Sequence, residues 1–127
     1  MRNILSALVL GLSLLIASGG HSYAAASEKA WAAYNNGDFV TALREFSELA
    51  EQGDAKAQYN LGLMYAFGQG VIQDNVYAHM WWNIAALSGD ADAASYRDFL
   101  AKEMTSADIS KAQELSRACV KKKYKEC

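Results

Sequence analysis

Residues 53–57 are Gly-Asp-Ala-Lys-Ala, and 36 residues later residues 89–93 are Gly-Asp-Ala-Asp-Ala. The same offset aligns three further pairs, Asp38 with Asp74, Ala42 with Ala78 and Ala50 with Ala86. Glycine tolerates the left-handed conformation that ends many helices, and an aspartate after it can cap the next helix. Each Gly-Asp pair therefore predicts a helix end and a helix start within an internal repeat.

Between these marks, apolar residues recur at helical spacing, and no long stretch alternates as a strand would. The pattern predicts six helices, at residues 27–35, 38–51, 54–67, 74–88, 90–103 and 105 to about 120. Paired in order, they predict an all-α solenoid of about three antiparallel helix hairpins, at residues 27–53, 54–89 and 90–127. Trp81 and Trp82 are expected to pack between helices.

The N-terminal region is typical of a secretory signal peptide. Its apolar run, Ile4 to Ala17, has about 14 residues, whereas a membrane-spanning helix needs about 20. We therefore expect a signal peptide over residues 1–26, cleaved after Ala24 or Ala26. No cysteine lies near either position, so we expect a periplasmic or secreted repeat domain, residues 27–127, with no stable membrane anchor after signal removal.

A family resemblance rests on two adjoining segments, Leu61-Gly62-Leu63-Met64-Tyr65 and Gly68-Gln69-Gly70-Val71. With the ordered positions that follow them, they resemble the Sel-one-like repeat, a relative of the tetratricopeptide repeat. The positions are Asp74, Ala78, Trp81, Ala85, Ala86, Gly89 and Ala93. The preceding hairpin resembles a plain tetratricopeptide unit, and the last hairpin is degenerate, like a terminal cap. The resemblance implies a right-handed α-α superhelix whose concave side holds protein or peptide partners.

The two cysteines extend this resemblance. Cys119 and Cys127 have a spacing like that of the disulfide-bearing, cysteine-rich members of the family, and an even cysteine count in an exported chain also favours a disulfide. In one unbroken helix they would lie about 12 Å apart along the axis, whereas a disulfide needs Cα atoms within about 7 Å. The resemblance therefore implies a helix that ends between them. Without Cys-x-x-Cys spacing, a redox-active pair is disfavoured.

Candidate partner-binding residues follow from the inward-facing positions of tetratricopeptide repeats. They are Glu28, Trp31 and Asn35 in the first hairpin, Lys56, Asn60, Leu63 and Phe67 in the second, and Asp92, Tyr96 and Phe99 in the third. Such a mixture of aromatic, amide and acidic side chains suits an extended or helical peptide. The alternative interpretation is that Leu63, Phe67 and Phe99 pack between hairpins.

A basic cluster lies near the end of a chain whose net charge is −2, at Lys121, Lys122, Lys123 and Lys125. Two interpretations stay open for it. It is either a solvated tail that needs no partner, or a patch for anionic lipid head groups, acidic glycans or an acidic protein surface. An exported and net acidic chain argues against nucleic acid as a partner.

Catalytic patterns are absent from the sequence. It contains no Ser-x-x-Lys, Gly-x-Ser-x-Gly or His-Glu-x-x-His, and His79, alone after signal removal, is expected to be packed or solvated. Gly68-Gln69-Gly70 lacks the preceding strand and the following lysine of a phosphate loop, so we expect a turn with positive φ. The sequence predicts no enzyme activity, no cofactor and no metal.

We therefore expect an exported interaction module that binds a protein or peptide on its concave face. The sequence leaves the identity of the partner and the oligomeric state open. Two alternatives also stay open: a cysteine-rich repeat hydrolase or binder that acts on β-lactam or peptidoglycan, which some relatives suggest, and a structural, self-associating envelope module.

Overall fold

A computed structural model of the chain describes residues 18–127, with side chains described from residue 24. This part of the chain forms six helices and no strand: α1 (Ser18–Asn35), α2 (Phe39–Glu51), α3 (Ala55–Phe67), α4 (Asn75–Leu87), α5 (Ala91–Ala101) and α6 (Ser106–Lys121). The predicted all-α class and the six predicted helices are confirmed. Within the described residues, no helix has the length and apolar character needed to cross a membrane.

The first helix extends further toward the N terminus than predicted. It begins at Ser18 rather than at residue 27, because the alanines at 24–26 are strong helix formers that continue the helix backward. Both expected cleavage positions therefore lie within α1. The apolar run from Ile4 to Ala17, on which the predicted signal peptide rests, lies outside the described residues.

The Gly-Asp pairs punctuate the helices as predicted. Gly53 and Gly89 have φ values of 89° and 99°, in the left-handed region that glycine adopts readily. The carboxylates of Asp54 and Asp90 accept hydrogen bonds from backbone N–H groups three residues later, at 2.6 and 2.8 Å. Equivalent aspartates cap α2 and α4. Each pair thus ends one helix and satisfies the free donors of the next.

Neighbouring helices pack against one another along most of the chain. α1 packs against α2, α2 against α3, and α3 against α4, while α4 also packs against both α5 and α6. The last helix departs from this order, since α6 lies mainly along α4 and has few contacts with α5. α4 is consequently the central helix of the described residues.

Two hydrophobic clusters form the core. The larger spans α1 to α4 and contains Phe46, Leu61 and Met64 among its buried side chains, with Cys119 joining it from α6. The smaller lies around the junction of α4 and α5. Trp81 belongs to the first cluster and Trp82 to the second, and both are buried. The expected packing of both tryptophans is confirmed.

α3 and α4 are in close contact at Gly62. A Cβ atom at this position would overlap the indole of Trp82. The indole N–H donates a hydrogen bond to the backbone carbonyl oxygen of Tyr59, at 3.1 Å, which holds the ring against α3. The glycine of the Leu-Gly-Leu segment is therefore a packing requirement.

The Gly68-Gln69-Gly70 segment forms the predicted turn. Gly68 and Gly70 have φ values of 65° and 72°, and Gly68 is the left-handed C-cap of α3. A Cβ at Gly70 would lie 2.6 Å from the backbone oxygen of Phe39, and the Tyr34 hydroxyl donates to Gln69 Oε1 at 3.1 Å. The turn therefore fastens the second hairpin to the first.

Candidate partner-binding surface

Exposed aromatic side chains gather on α3 and α5, which contact each other. The exposed fractions are 68% for Phe67, 44% for Tyr96 and 65% for Phe99. Large apolar side chains exposed on one surface often mark a site of interaction. We call this surface the α3–α5 face and define it by Lys56, Tyr59, Leu63 and Phe67 on α3 and Asp92, Tyr96 and Phe99 on α5.

Tyr96 connects the two helices of this face. Its ring centroid lies 5.8 Å from that of Tyr59, in an edge-on arrangement, and 5.4 Å from that of Trp82. Trp82 is itself buried and hydrogen-bonded to the backbone of α3. One side of Tyr96 is thus supported by fixed rings while the other remains open to solvent.

The surroundings of Tyr59 favour the neutral form of its phenol. Burial raises the pKa of Tyr59 to about 12, with smaller contributions from Tyr96 and from the carboxylates of Asp92 and Asp90. The ammonium group of Lys56 lies 4.6 Å from the centre of the Tyr59 ring, within range of a cation–π interaction. Tyr59 therefore remains an uncharged phenol at neutral pH, with a basic group over its ring and acidic groups nearby.

The second and third predicted sets lie on α3 and α5, two helices that meet at the rings of Tyr59 and Tyr96. Phe67 and Phe99 are mostly exposed, so the alternative in which they pack between hairpins is wrong. Leu63 is half-buried and packs against the smaller core cluster, as that alternative expected. Lys56 and Asp92 are exposed at the polar edge of the face.

The remaining predicted residues lie elsewhere or have little accessible surface. Trp31 is half-buried, with its ring 5.5 Å from that of Phe46 in the larger cluster. Glu28 and Asn35 are exposed on α1. Asn60 is only 2% exposed, and neither atom of its side-chain amide has a hydrogen-bond partner among the described residues. A partner on the α3–α5 face would reach few atoms of Trp31 or Asn60.

Sequence reasoning missed Tyr59. The positions carried over from tetratricopeptide repeats select Lys56, Asn60 and Leu63, and so pass over it. Its spacing, four residues before Leu63 and eight before Phe67, places it on the same side of α3 and could have indicated its role. Its contact with Tyr96 depends on how α3 and α5 are rotated about their axes.

A polar junction joins α4, α5 and α6. The amide of Asn83 donates to Ser116 Oγ at 2.8 Å, and Arg97 Nη1 donates to Asn83 Oδ1 at 2.9 Å. His79, one turn before Asn83, is buried, and its Nδ1 has no hydrogen-bond partner within residues 18–127. Burial lowers the pKa of His79, and the positive charge of Arg97 lowers it further. His79 is therefore a packed, neutral residue. Of the two states expected from the sequence, packed or solvated, the structure shows the first.

The expected disulfide is present. Cys119 and Cys127 are bonded, with Cα atoms 5.5 Å apart, and α6 ends between them at Lys121. Three residues of the closing segment have positive φ, namely Lys123, Tyr124 and Glu126. We call residues 119–127 the disulfide loop. Its Tyr124 packs against the turn at Gly53, so the loop folds back onto the α2–α3 connection.

The predicted basic cluster lies within this loop, and all four lysines are exposed. Lys122 Nζ donates to the backbone oxygen of Glu126 at 3.1 Å, and Lys125 Nζ lies 3.8 Å from Glu51 Oε2. Within residues 18–127, no group of three or more His, Cys, Asp or Glu residues is arranged to hold a metal ion.

Helices that pack in order against their neighbours, with capped turns between them, define a helical repeat architecture in the described residues. Residues 55–90, which span α3, the glycine turn and α4, match the family model of the Sel1 repeat. The chain therefore contains a Sel1 repeat, and the resemblance seen in its sequence is confirmed for this segment. Sel1 repeats generally mediate protein–protein interactions. No curated protein matches the chain.

Proposed function

We propose that this protein is an exported interaction module that holds a protein or peptide partner on the α3–α5 face. The observation that carries the proposal is Tyr96, which is 44% exposed and rests on the rings of Tyr59 and Trp82. Most of the energy of an interface comes from a few aromatic or arginine anchors that need little reordering on binding. A ring already supported from below has this property.

Phe67 extends the apolar surface on α3, and Phe99 extends it on α5. An aromatic side chain buries roughly 150–250 Å² when it is fully covered, so two exposed phenylalanines offer substantial area to a partner. Lys56 and Asp92 would form the polar rim that interfaces usually have around such a centre. The arrangement fits an extended or helical segment that presents apolar side chains between polar ones.

Export supports the same proposal from another part of the molecule. The Cys119–Cys127 disulfide fits an oxidising compartment such as the periplasm or the exterior of the cell. The expected signal peptide over residues 1–26 would deliver the chain there. The partner is then a protein or peptide of the same compartment.

Site-specific photo-crosslinking in the intact cell envelope tests the proposed face. A photoreactive amino acid is placed in turn at Phe67, at Phe99 and at Ile72, which is apolar and 91% exposed but lies outside the face. We expect one common crosslinked protein from the first two positions and none of it from the third. Equal capture from Ile72 would contradict the proposal.

A binding measurement with the captured partner then tests the energetic role of the rings. The double variant Phe67→Ser/Phe99→Ser should weaken binding strongly, because both side chains are solvent-exposed in the free protein and buried in the complex. Ile72→Ser is the matched control, since it makes the same type of change off the face. If both variants bind as the wild type does, the partner uses another surface.

A further inference from the structure

A separate cavity lies on the other side of α3 from this face, under the disulfide loop. Its volume is about 170 Å³, and it is lined by Ser47, Glu51, Leu61, Tyr65, Trp81, Tyr124, Glu126 and Cys127. Drug-sized ligands occupy about 300–1,000 Å³, whereas a cavity of about 150 Å³ can hold benzene. The space is therefore suited to one small organic group, such as a single side chain.

The walls of the cavity combine aromatic rings with acidic groups. Tyr65, Trp81 and Tyr124 contribute three rings, and Tyr65 is held in place by stacking on Tyr77 at 5.3 Å. Glu51 and Glu126 are the acidic residues of the lining, and no lysine or arginine of the described chain belongs to it. Aromatic faces and carboxylates both favour a cation, whereas an anion would be repelled and a neutral apolar group would leave the carboxylates unpaired.

A lysine of the chain already illustrates this preference. The ammonium of Lys125 lies 3.8 Å from Glu51 Oε2, at the long limit of an ion pair. The Lys125 side chain is 59% exposed and that of Glu51 is 42% exposed, so the pair is weak. Lys125 does not line the cavity. An incoming cation would therefore displace a loosely held competitor from the rim.

We infer that this cavity binds a single alkylammonium or guanidinium group, presented either by a lysine or arginine side chain of a partner or by a free amine. The alkyl part lies against Leu61 and the rings, and the charged end reaches Glu51 and Glu126. Three of the lining residues belong to the disulfide loop, so the Cys119–Cys127 bond shapes one wall of the site.

Titration of the disulfide-bonded protein with matched small probes tests the preference for a cation. N-acetyl-lysine methylamide is compared with N-acetyl-norleucine methylamide, which has the same aliphatic chain without the charge, by following amide and Trp81 indole NMR shifts. We expect shifts at Glu51, Trp81 and Tyr124 with the lysine probe and at least about fivefold weaker binding of the norleucine probe. Equal binding of the two probes, or no shift with the lysine probe, overturns the inference.

Charge variants at the rim of the cavity test which residues bind the lysine probe. Glu51→Gln should weaken binding of the lysine probe, and Lys125→Gln should strengthen it by up to about fivefold because the internal competitor is removed. Glu48→Gln is the matched control, since Glu48 is exposed on the same helix and does not line the cavity. If Glu51→Gln and Glu48→Gln have the same effect, the cavity is not the site of binding.

Two further comparisons complete the test. The first identifies the source of the cation, and the second distinguishes this cavity from the α3–α5 face. Tighter binding of a lysine peptide that is acetylated at its N terminus, and so keeps its charged side chain, than of 1,5-diaminopentane indicates a protein side chain. The reverse order indicates a free amine. The Phe67→Ser/Phe99→Ser variant should bind the lysine probe as the wild type does. Loss of probe binding in that variant would overturn the assignment to the cavity and leave the α3–α5 face as the binding surface.

Discussion

The α3–α4 hairpin and the α5–α6 pair have the same place in the repeat but are held together differently. α3 and α4 pack directly along each other, with Gly62 beneath the indole of Trp82. α5 and α6 have few mutual contacts, and each packs instead against α4. The Sel1 match ends at residue 90, just before this change of arrangement.

The difference shows two ways to complete a small helical stack. In the α3–α4 hairpin, a residue without a side chain lets two helices approach closely over a large contact area. In the last pair, side-chain hydrogen bonds of Asn83 with Arg97 and Ser116 tie α5 and α6 to α4, and the Cys119–Cys127 bond closes the loop at the end of α6. Since α5 and α6 have few contacts with each other, specific bonds replace part of the packing that the α3–α4 hairpin has.

The largest effect is expected from filling the close approach in the α3–α4 hairpin. Gly62→Ala should lower the free energy of unfolding by about 3 kcal/mol, because the added Cβ overlaps the Trp82 indole in a packed core. The higher helix propensity of alanine, about 1 kcal/mol, offsets only part of this cost. Urea denaturation of the purified protein measures the change.

A double-mutant cycle identifies the cause of that loss. Trp82→Leu alone removes part of the smaller core cluster and is destabilising, but Gly62→Ala should cost much less in its background because the overlapping ring is gone. An unchanged cost in the Trp82→Leu background would show that the glycine matters for another reason.

The next effect concerns the covalent bond of the last pair. Replacement of Cys119 and Cys127 by alanine should lower the free energy of unfolding by about 2.5 kcal/mol, since the unfolded chain loses a closed loop. Hydrogen exchange should accelerate mainly in α6 and the disulfide loop, while α3 and α4 stay protected. Equal acceleration in all helices would indicate that the bond supports the whole stack rather than its end.

A smaller effect is expected at the polar junction. Asn83→Ala should lower the free energy of unfolding by about 1 to 2 kcal/mol, because it leaves the hydroxyl of buried Ser116 and one donor of Arg97 without their partner. Adding Ser116→Ala to this variant should cost less than Ser116→Ala does alone. Strictly additive costs, measured by denaturation, would mean that the two side chains do not act as a pair.

The smallest expected effect is a dependence of the folding stability on pH. Because the folded state lowers the pKa of His79 below 6.5, the unfolded chain binds a proton more readily there. Stability from this residue is therefore fully present above about pH 6.5 and is lost as the pH falls below that value. Asp38 and Glu45, whose pKa values are lowered from 3.8 and 4.5, lose their contributions only in more acidic solution.

The comparison of wild type with His79→Gln isolates this contribution. The wild type should lose more stability between pH 7.5 and pH 5.5 than the variant does, as measured by the urea midpoint at each pH. The same loss in both proteins would assign the pH dependence to other groups.

Much of the fold followed from local patterns in the sequence. The Gly-Asp pairs and the apolar spacing predicted the six helices, because capping and helix periodicity act over a few residues. The disulfide was predicted from the resemblance to related proteins, and helix geometry then required the last helix to end between the two cysteines. These features depend on neighbours in the chain and are therefore visible in one sequence.

Features that depend on the relative placement of helices were less predictable. The burial of Trp31 against Phe46 and the contact of Tyr59 with Tyr96 require the rotation of each helix about its axis. The docking of α6 along α4, rather than along α5, likewise depends on which surfaces of α4 remain uncovered. The cavity under the disulfide loop requires the path of the loop after α6, which no periodic pattern determines.

Trp81 and Trp82 are adjacent in the chain, yet their rings enter different hydrophobic clusters. Indole emission depends on the polarity and mobility of its surroundings, so these two residues are natural optical reporters for two halves of one small molecule. Versions of the protein that retain only Trp81 or only Trp82, with Trp31 also replaced, would show whether both clusters unfold at the same denaturant concentration. The protein thus allows its own cooperativity to be observed without an added label.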